Sequence, residues 1–319
     1  MSENENNRAE SLRAEERQCL AAIRSAGSLN ALAAIVGSDT EHEAYLEAKE
    51  MWRTLRAKEL GEPKRPSGIP GDTVKIDGQP FVVHGITHRD TEPERSFLHE
   101  HVSEWLEAGE TVYCEQGIRP MYFEAFPDVY EMDDYRWAMY HCRNEDVESH
   151  IDEIIEETFE EGLNADITEV AARFRKVVFS AIESGSEIYG DRATNALGDL
   201  ASDFFMSHED AATMDDFTSF RLSREAAMNP EALIELQQYY KRVLLPQPLE
   251  REWLRRHDRE LELFTHARNE RMADYVRFHA PETGAVHVIV GAAHLPGVTY
   301  YLKEIRDGER SRDEFESIP

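Results

Sequence analysis

The run Val286 to His294, VHVIVGAAH, constrains the fold more than any other stretch. It is apolar, short enough for a strand, and ended by a glycine with a histidine three residues later. Phe81 to His88, FVVHGITH, repeats the plan. Both runs have the length and β-branched content of strands buried on both faces. In an open parallel sheet the chemistry lies beyond the carboxyl ends of the strands, so the two ends are expected to meet. Glycine is expected to turn the backbone sharply off each strand, and a neutral imidazole beyond it can bind a metal or move a proton.

Further elements assemble around these runs. Residues 61 to 71, GEPKRPSGIPG, are rich in proline and glycine and read as a linker after helical segments that contain Leu20, Ile23, Leu29, Leu32 and Ile35. Val74 to Val83 reads as a hairpin with Asp77-Gly78 as its two-residue turn. Phe97, Leu98, Val102, Trp105 and Leu106 stand at helical spacing, and Thr111 to Glu115, TVYCE, is a second buried strand. A crossover of this kind makes its strands parallel, so Glu115 is expected at the same sheet edge as His88.

From Glu145 to about Val243 the pattern is helical throughout, with many acids on solvated faces. A further helical stretch runs from Pro248 to Ala280 with a break near Thr265, ahead of the strand Val286 to Val290 and a last helix opened by Pro296. A helix that leads into a parallel strand runs back along it. From Arg268 to His279 a helix covers roughly 17 Å, and from Val286 to Gly291 a strand covers about the same. Arg268 and Asn269 are therefore expected near Gly291 and His294. The fold class expected is α/β, a mainly parallel sheet flanked by helices with a large all-helical insertion. Its parts would be an N-terminal charged tail, helices and linker (1–72), a first α/β half (73–144), the insertion (145–247), a second α/β half (248–306) and a tail (307–319).

Composition limits the partners. A formal charge of −29, from 64 acidic against 35 basic residues spread along the chain, argues against nucleic acid, which needs a basic face. Such self-repulsion is relieved by salt, and the acidity suits a salt-rich source. Apolar runs fall far short of the ~20 residues that cross a bilayer. With no apolar leader near the N-terminus and three cysteines, Cys19, Cys114 and Cys142, in no paired spacing, a cytoplasmic location without an integral membrane segment is expected.

Two imidazoles and a carboxylate are a common three-ligand set for a catalytic divalent ion, which ionises a bound water near pH ~7. His88, Glu115 and His294 are the candidates, and Glu115 could instead serve as general base. Arg268 could hold a substrate carboxylate or a developing oxyanion, with Asn269 as a further donor. Against this stand simpler readings: three Gly-x-x-His matches occur, and the third, Gly284/His287, enters a strand where the other two leave one. His84 reads as a core histidine, His99 and His101 as a poor metal pair, and Asp133 and Asp134 as solvated loop acids.

These residues resemble the TraB, PrgY, GumN and TIKI group of hydrolase-like proteins, relatives of the erythromycin esterase and ChaN-like folds. That group has a Gly-x-x-His after its first core strand, a glutamate ending the next, an Arg-Asn pair on a late helix and a second Gly-x-x-His after the final strand. Here these look like Gly85 to His88, Glu115 in YCEQGIR, Arg268-Asn269 in ARNERMA and Gly291 to His294. Arg119 is similar to an arginine often found after the glutamate and is a candidate for substrate binding. The resemblance covers mainly 81–120 and 264–302. It implies a metal-dependent hydrolase site, with manganese, cobalt or zinc, acting on a peptide or related amide or ester. Pheromone-inhibiting members of the group imply the alternative of a non-catalytic peptide-binding protein, and ChaN-like relatives a haem-binding one, for which no residue here adds support. A homodimer is allowed by the sequence.

Overall fold

Five strands lie in one sheet: β1 (Asp72–Ile76), β2 (Gln79–Ile86), β3 (Thr111–Cys114), β4 (Val129–Glu131) and β5 (Val286–Gly291), in the spatial order β1-β2-β5-β3-β4. The computed structural model describes residues 12–64, 67–144, 159–206 and 213–310, with side chains at all of these except 142, 143 and 159–169. The expected tails, up to residue 11 and from 311 on, and the opening of the acidic helical pattern at 145–158 lie outside the described residues.

The β1–β2 hairpin forms as its turn residues require. Asp77 and Gly78 both take positive φ, 52° and 87°, and Ile76 pairs with Gln79. β5 enters between β2 and β3 and runs parallel to both, with Ile86 opposite Gly291 and Cys114 opposite Ile289. All six β5 residues are buried, as befits a central strand covered on both faces. The sheet is thus mixed and mostly parallel. The edge strand β4, parallel to β3, was not expected, because three residues carry no readable alternation.

Helices cover both faces. α4 (Glu92–Glu107) and α5 (Ile118–Tyr122) pack Leu98, Val102, Ile118 and Tyr122 against Ile86, Val112 and Ile289. On the other face α14 (Arg268–His279) and α15 (Leu295–Asp307) bring Met272, Val276, Val298 and Leu302 onto Phe81, Val83, Val288 and Val290. Each such side chain contributes about 1.5–3 kcal/mol by leaving water. Of the remaining helices, α6 (Asp134–Asn144) follows β4, and α7 (Phe159–Ser184), α8 (Ser186–Tyr189), α9 (Asp191–Phe205), α10 (Phe217–Met228) and α11 (Leu233–Val243) fill the span read as helical. No strand occurs among its described residues.

The N-terminal helices α1 (Ala14–Ser25), α2 (Leu29–Val36) and α3 (Glu41–Leu60) share a hydrophobic cluster with α12 (Gln247–Arg255), Leu20, Ile23, Leu32, Tyr45 and Trp52 packing with Leu249 and Trp253. Buried Glu250 fixes this junction by accepting from Tyr45 Oη at 2.6 Å, Lys49 Nζ at 3.2 Å and Leu245 N at 2.7 Å. The expected break near Thr265 is a π turn, Leu263–Ala267, between the short α13 (Arg259–Glu262) and α14. Among the described residues no helix is long and apolar enough to cross a membrane.

Candidate functional site

The carboxyl ends of β2, β5 and β3 are adjacent, and each is followed by one candidate: His88, His294 and Glu115. Glu115 continues β3 by donating its N–H to Ile289 O at 2.9 Å, which sets its carboxylate beside the end of β5. There Oε2 accepts from Gly291 N at 2.8 Å and Oε1 from Arg268 Nη2 at 3.0 Å. Burial opposes the charge of Glu115, but the surrounding positive charge and donors, His294 when protonated, Arg268 and Gly291 N–H, hold its pKa below the usual range.

Neither glycine of the two Gly-x-x-His motifs acts as the sequence suggested. Gly85 and Gly291 lie outside the positive-φ region, so their backbone is open to any residue. Their value is space. A Cβ on Gly85 would stand 2.8 Å from Ala292 Cα, and one on Gly291 would collide with His88 Nε2. The motifs therefore allow two chain ends and an imidazole to approach closely, joined by Ala292 N donating to Ile86 O at 2.9 Å.

The loop before His88 is clamped from below. Buried Glu94 accepts from Thr87 N at 2.8 Å, Thr87 Oγ1 at 2.6 Å and Tyr122 Oη at 2.7 Å. The His88 side chain itself is half exposed, with Nε2 3.9 Å from Glu115 Oε2.

His294 is held more firmly. Asn269 donates through Nδ2 to Gln247 Oε1 at 2.9 Å, which leaves its Oδ1 for His294 Nδ1 at 2.7 Å. Nδ1 therefore carries the proton and Nε2 presents a lone pair, 3.6 Å from Glu115 Oε1. Burial first, and then the charges of Arg268 and His88 against that of Glu115, place the His294 pKa at about 4, so the ring is neutral at pH 7.

Arg268 opens α14 directly after the π turn, a distortion common at functional sites. Its Nε donates to Asp134 Oδ2 at 2.6 Å while Nη2 reaches Glu115, so one guanidinium bridges two buried carboxylates. This corrects the reading of Asp134 as a solvated loop acid: it is fully buried at the start of α6. Burial, with the Glu115 charge adding and Arg268 opposing, raises its pKa from 3.8 to about 6. Asn269 acts on His294, and Arg119 donates to Val129 O at 2.7 Å and Phe126 O at 3.4 Å, tying α5 to the approach of β4. Neither Asp134 nor Gln247 had a sequence signal apart from its neighbours, since their partners lie far along the chain. His266, also missed, sits in the π turn with both ring nitrogens buried and without a hydrogen-bond partner. Burial holds its pKa near 4, with Lys49 and His294 adding and Glu250 opposing.

Four other histidines are engaged elsewhere. His84 is buried, with Nε2 2.9 Å from His287 Nδ1 and Nδ1 3.1 Å from Pro70 O, and His287 Nε2 lies 2.8 Å from Glu110 Oε2. His101 bonds Phe97 O and His99 bonds Tyr122 O.

Two imidazoles thus face different oxygens of one carboxylate. Ligand atoms on a tetrahedral ion with bonds of about 2.1 Å stand roughly 3.4 Å apart, close to the His294–Glu115 separation. The lone pair of His294 and the negative oxygen opposite repel unless a cation or proton lies between them, and the hydrogen-bonded Nδ1–H is the usual support of a metal-binding histidine. Among the described residues no three His, Cys, Asp or Glu side chains are gathered tightly enough to hold a metal ion as they stand. His294 and Glu115 are held by their partners, and half-exposed His88 is the third candidate beside them. Comparison with protein-family models, curated proteins and solved structures gives no match for this chain.

Proposed function

We propose that this protein is a metal-dependent hydrolase of a peptide or related amide or ester, with a divalent ion held by His88, Glu115 and His294. The observation that carries the reading is His294 Nε2 at 3.6 Å from Glu115 Oε1, with Asn269 bonded to Nδ1 on the other side of the ring. A bound divalent ion would supply Lewis acidity and an ionised water near neutral pH. Arg268 keeps Glu115 ionised and immobile, while Asp134 takes up part of the arginine charge. Asn269 and Gln247 hold the His294 ring. Arg268, bridging two carboxylates, serves the site by positioning, and the open side lies at His88. The span 145–247 is read as a helical insertion between the two α/β halves, and the resemblance to the TraB and TIKI group supports the same chemistry.

The test is turnover of a labelled peptide and ester pool with manganese, cobalt or zinc added. Hydrolysis lost in His294→Ala supports the enzyme. Saturable peptide binding without turnover under all three metals would replace it with the non-catalytic peptide-binding reading.

A further inference from the structure

In a chain of net charge −29, one cavity is lined by four cationic side chains and a single carboxylate. Arg24 of α1, Arg56 of α3, Lys241 of α11 and Lys303 of α15 meet Asp72 around a space of about 250 Å³. Four elements distant in sequence contribute one cation each.

Some of this charge is balanced. Lys241 Nζ lies 2.7 Å from Asp72 Oδ1, and Arg24 and Arg56 share Glu59. Lys303 has no carboxylate within ion-pair distance among the described residues. Lys303 stands at the exposed rim of the cavity, where partial desolvation lowers its pKa, Asp72 opposes this, and Arg306, Arg56 and Arg24 lower it further. Positive charge is therefore in excess here, against the trend of the whole molecule.

Two buried donors belong to residues of the same lining. Thr299 and Trp52 are 3% and 5% exposed, both line the cavity, and neither Thr299 Oγ1 nor Trp52 Nε1 has a hydrogen-bond partner. Buried donors without acceptors are destabilising, so an acceptor-rich ligand that reaches them would relieve both. Trp52 is also the ring under Arg24 and Arg56, at 5.7 and 5.4 Å from its centroid, and Tyr300, Leu244 and Pro296 supply an apolar wall.

We propose that this cavity binds a phosphate monoester, with the phosphate among Lys303, Arg56 and Thr299 and the organic body against Trp52 and Tyr300. A dianion with several acceptor oxygens matches the excess cations and the two donors, and a monocarboxylate would leave part of both unmet. The site gives the N-terminal helices a function, since α1 and α3 form one wall. It also touches the crevice from behind, because Gln247 lines the cavity and holds Asn269, which orients His294. The proposal stands whether or not the crevice binds metal.

The experiment is calorimetric titration of the full chain with phenyl phosphate and with inorganic phosphate, at millimolar concentration and constant chloride ionic strength. Expected are saturable binding of one phenyl phosphate per chain, weaker binding of inorganic phosphate, and a loss of about tenfold or more in Lys303→Glu. Thr299→Val, which removes a buried unpaired hydroxyl and should fold at least as well, is expected to weaken binding too. Binding should persist in His88→Ala. No binding of either probe, equal affinity for both, unchanged affinity in Lys303→Glu, or loss in His88→Ala would each overturn the proposal.

Discussion

The imidazole of His88 passes over Gly291 where any other residue would carry its Cβ, and a methyl group built there would collide with Nε2. Since His88 is half exposed it can swing aside, whereas the strand beneath cannot. Gly291→Ala is therefore expected to lower metal affinity by about tenfold or more while leaving the melting temperature nearly unchanged. Gly85→Ala is the contrast: its Cβ meets Ala292 backbone at 2.8 Å, and overpacking there should cost about 1–3 kcal/mol in chemical denaturation.

Asn269→Ala removes the acceptor of His294 Nδ1–H and the donor to Gln247 in one step. Two buried groups lose their partner, for a cost of about 1–3 kcal/mol. With the ring free to turn and change tautomer, metal affinity should fall by about 10- to 100-fold. Unchanged affinity in a folded Asn269→Ala protein would show that this bond does not orient the ring.

Asp134 provides a pH signature. Its folded pKa of about 6 lies above the ordinary 3.8, so the folded state holds this proton more tightly than the unfolded chain does. Its contribution favours folding fully below about pH 4 and is lost as pH rises through about 6. Denaturation curves between pH 4 and 7 should show this slope in the wild type and lack it in Asp134→Asn. Parallel profiles for the two proteins would contradict the assignment.

Charge repulsion spread over the chain predicts a melting temperature that rises between low and molar KCl, as the Debye length falls from ~30 Å at 0.01 M to ~3 Å at 1 M. A flat or falling profile would mean that the acids are already compensated locally, as Arg256 with Glu41 and Arg310 with Asp274 are.

The strands, the hairpin turn and the meeting of His88, Glu115 and His294 were legible because each is a local pattern whose consequence is fixed by sheet geometry. The break near Thr265 was legible as a break, although a π turn leaves no composition of its own. What could not be read were contacts made by single polar residues far apart in sequence. Asp134 looks like any acid in an acidic chain until α6 buries it beside Arg268, and Gln247 acquires meaning only from Asn269. The role of Gly85 and Gly291 was misread for a related reason: a sequence shows that a side chain is missing, and only the packed neighbours show what occupies the space. The N-terminal stretch reads as helical, yet its attachment to α12 through Glu250 depends on partners some 200 residues away.

Binding of a divalent ion by His88, Glu115 and His294 can be read from the metal that the protein carries. The direct measurement is metal content by mass spectrometry, on protein purified without chelator or affinity metal, for the wild type and a folded His88→Ala/His294→Ala variant. Near-stoichiometric metal is expected in the first and little in the second. No metal in either after reconstitution with manganese, cobalt and zinc, or equal metal in both, would contradict it.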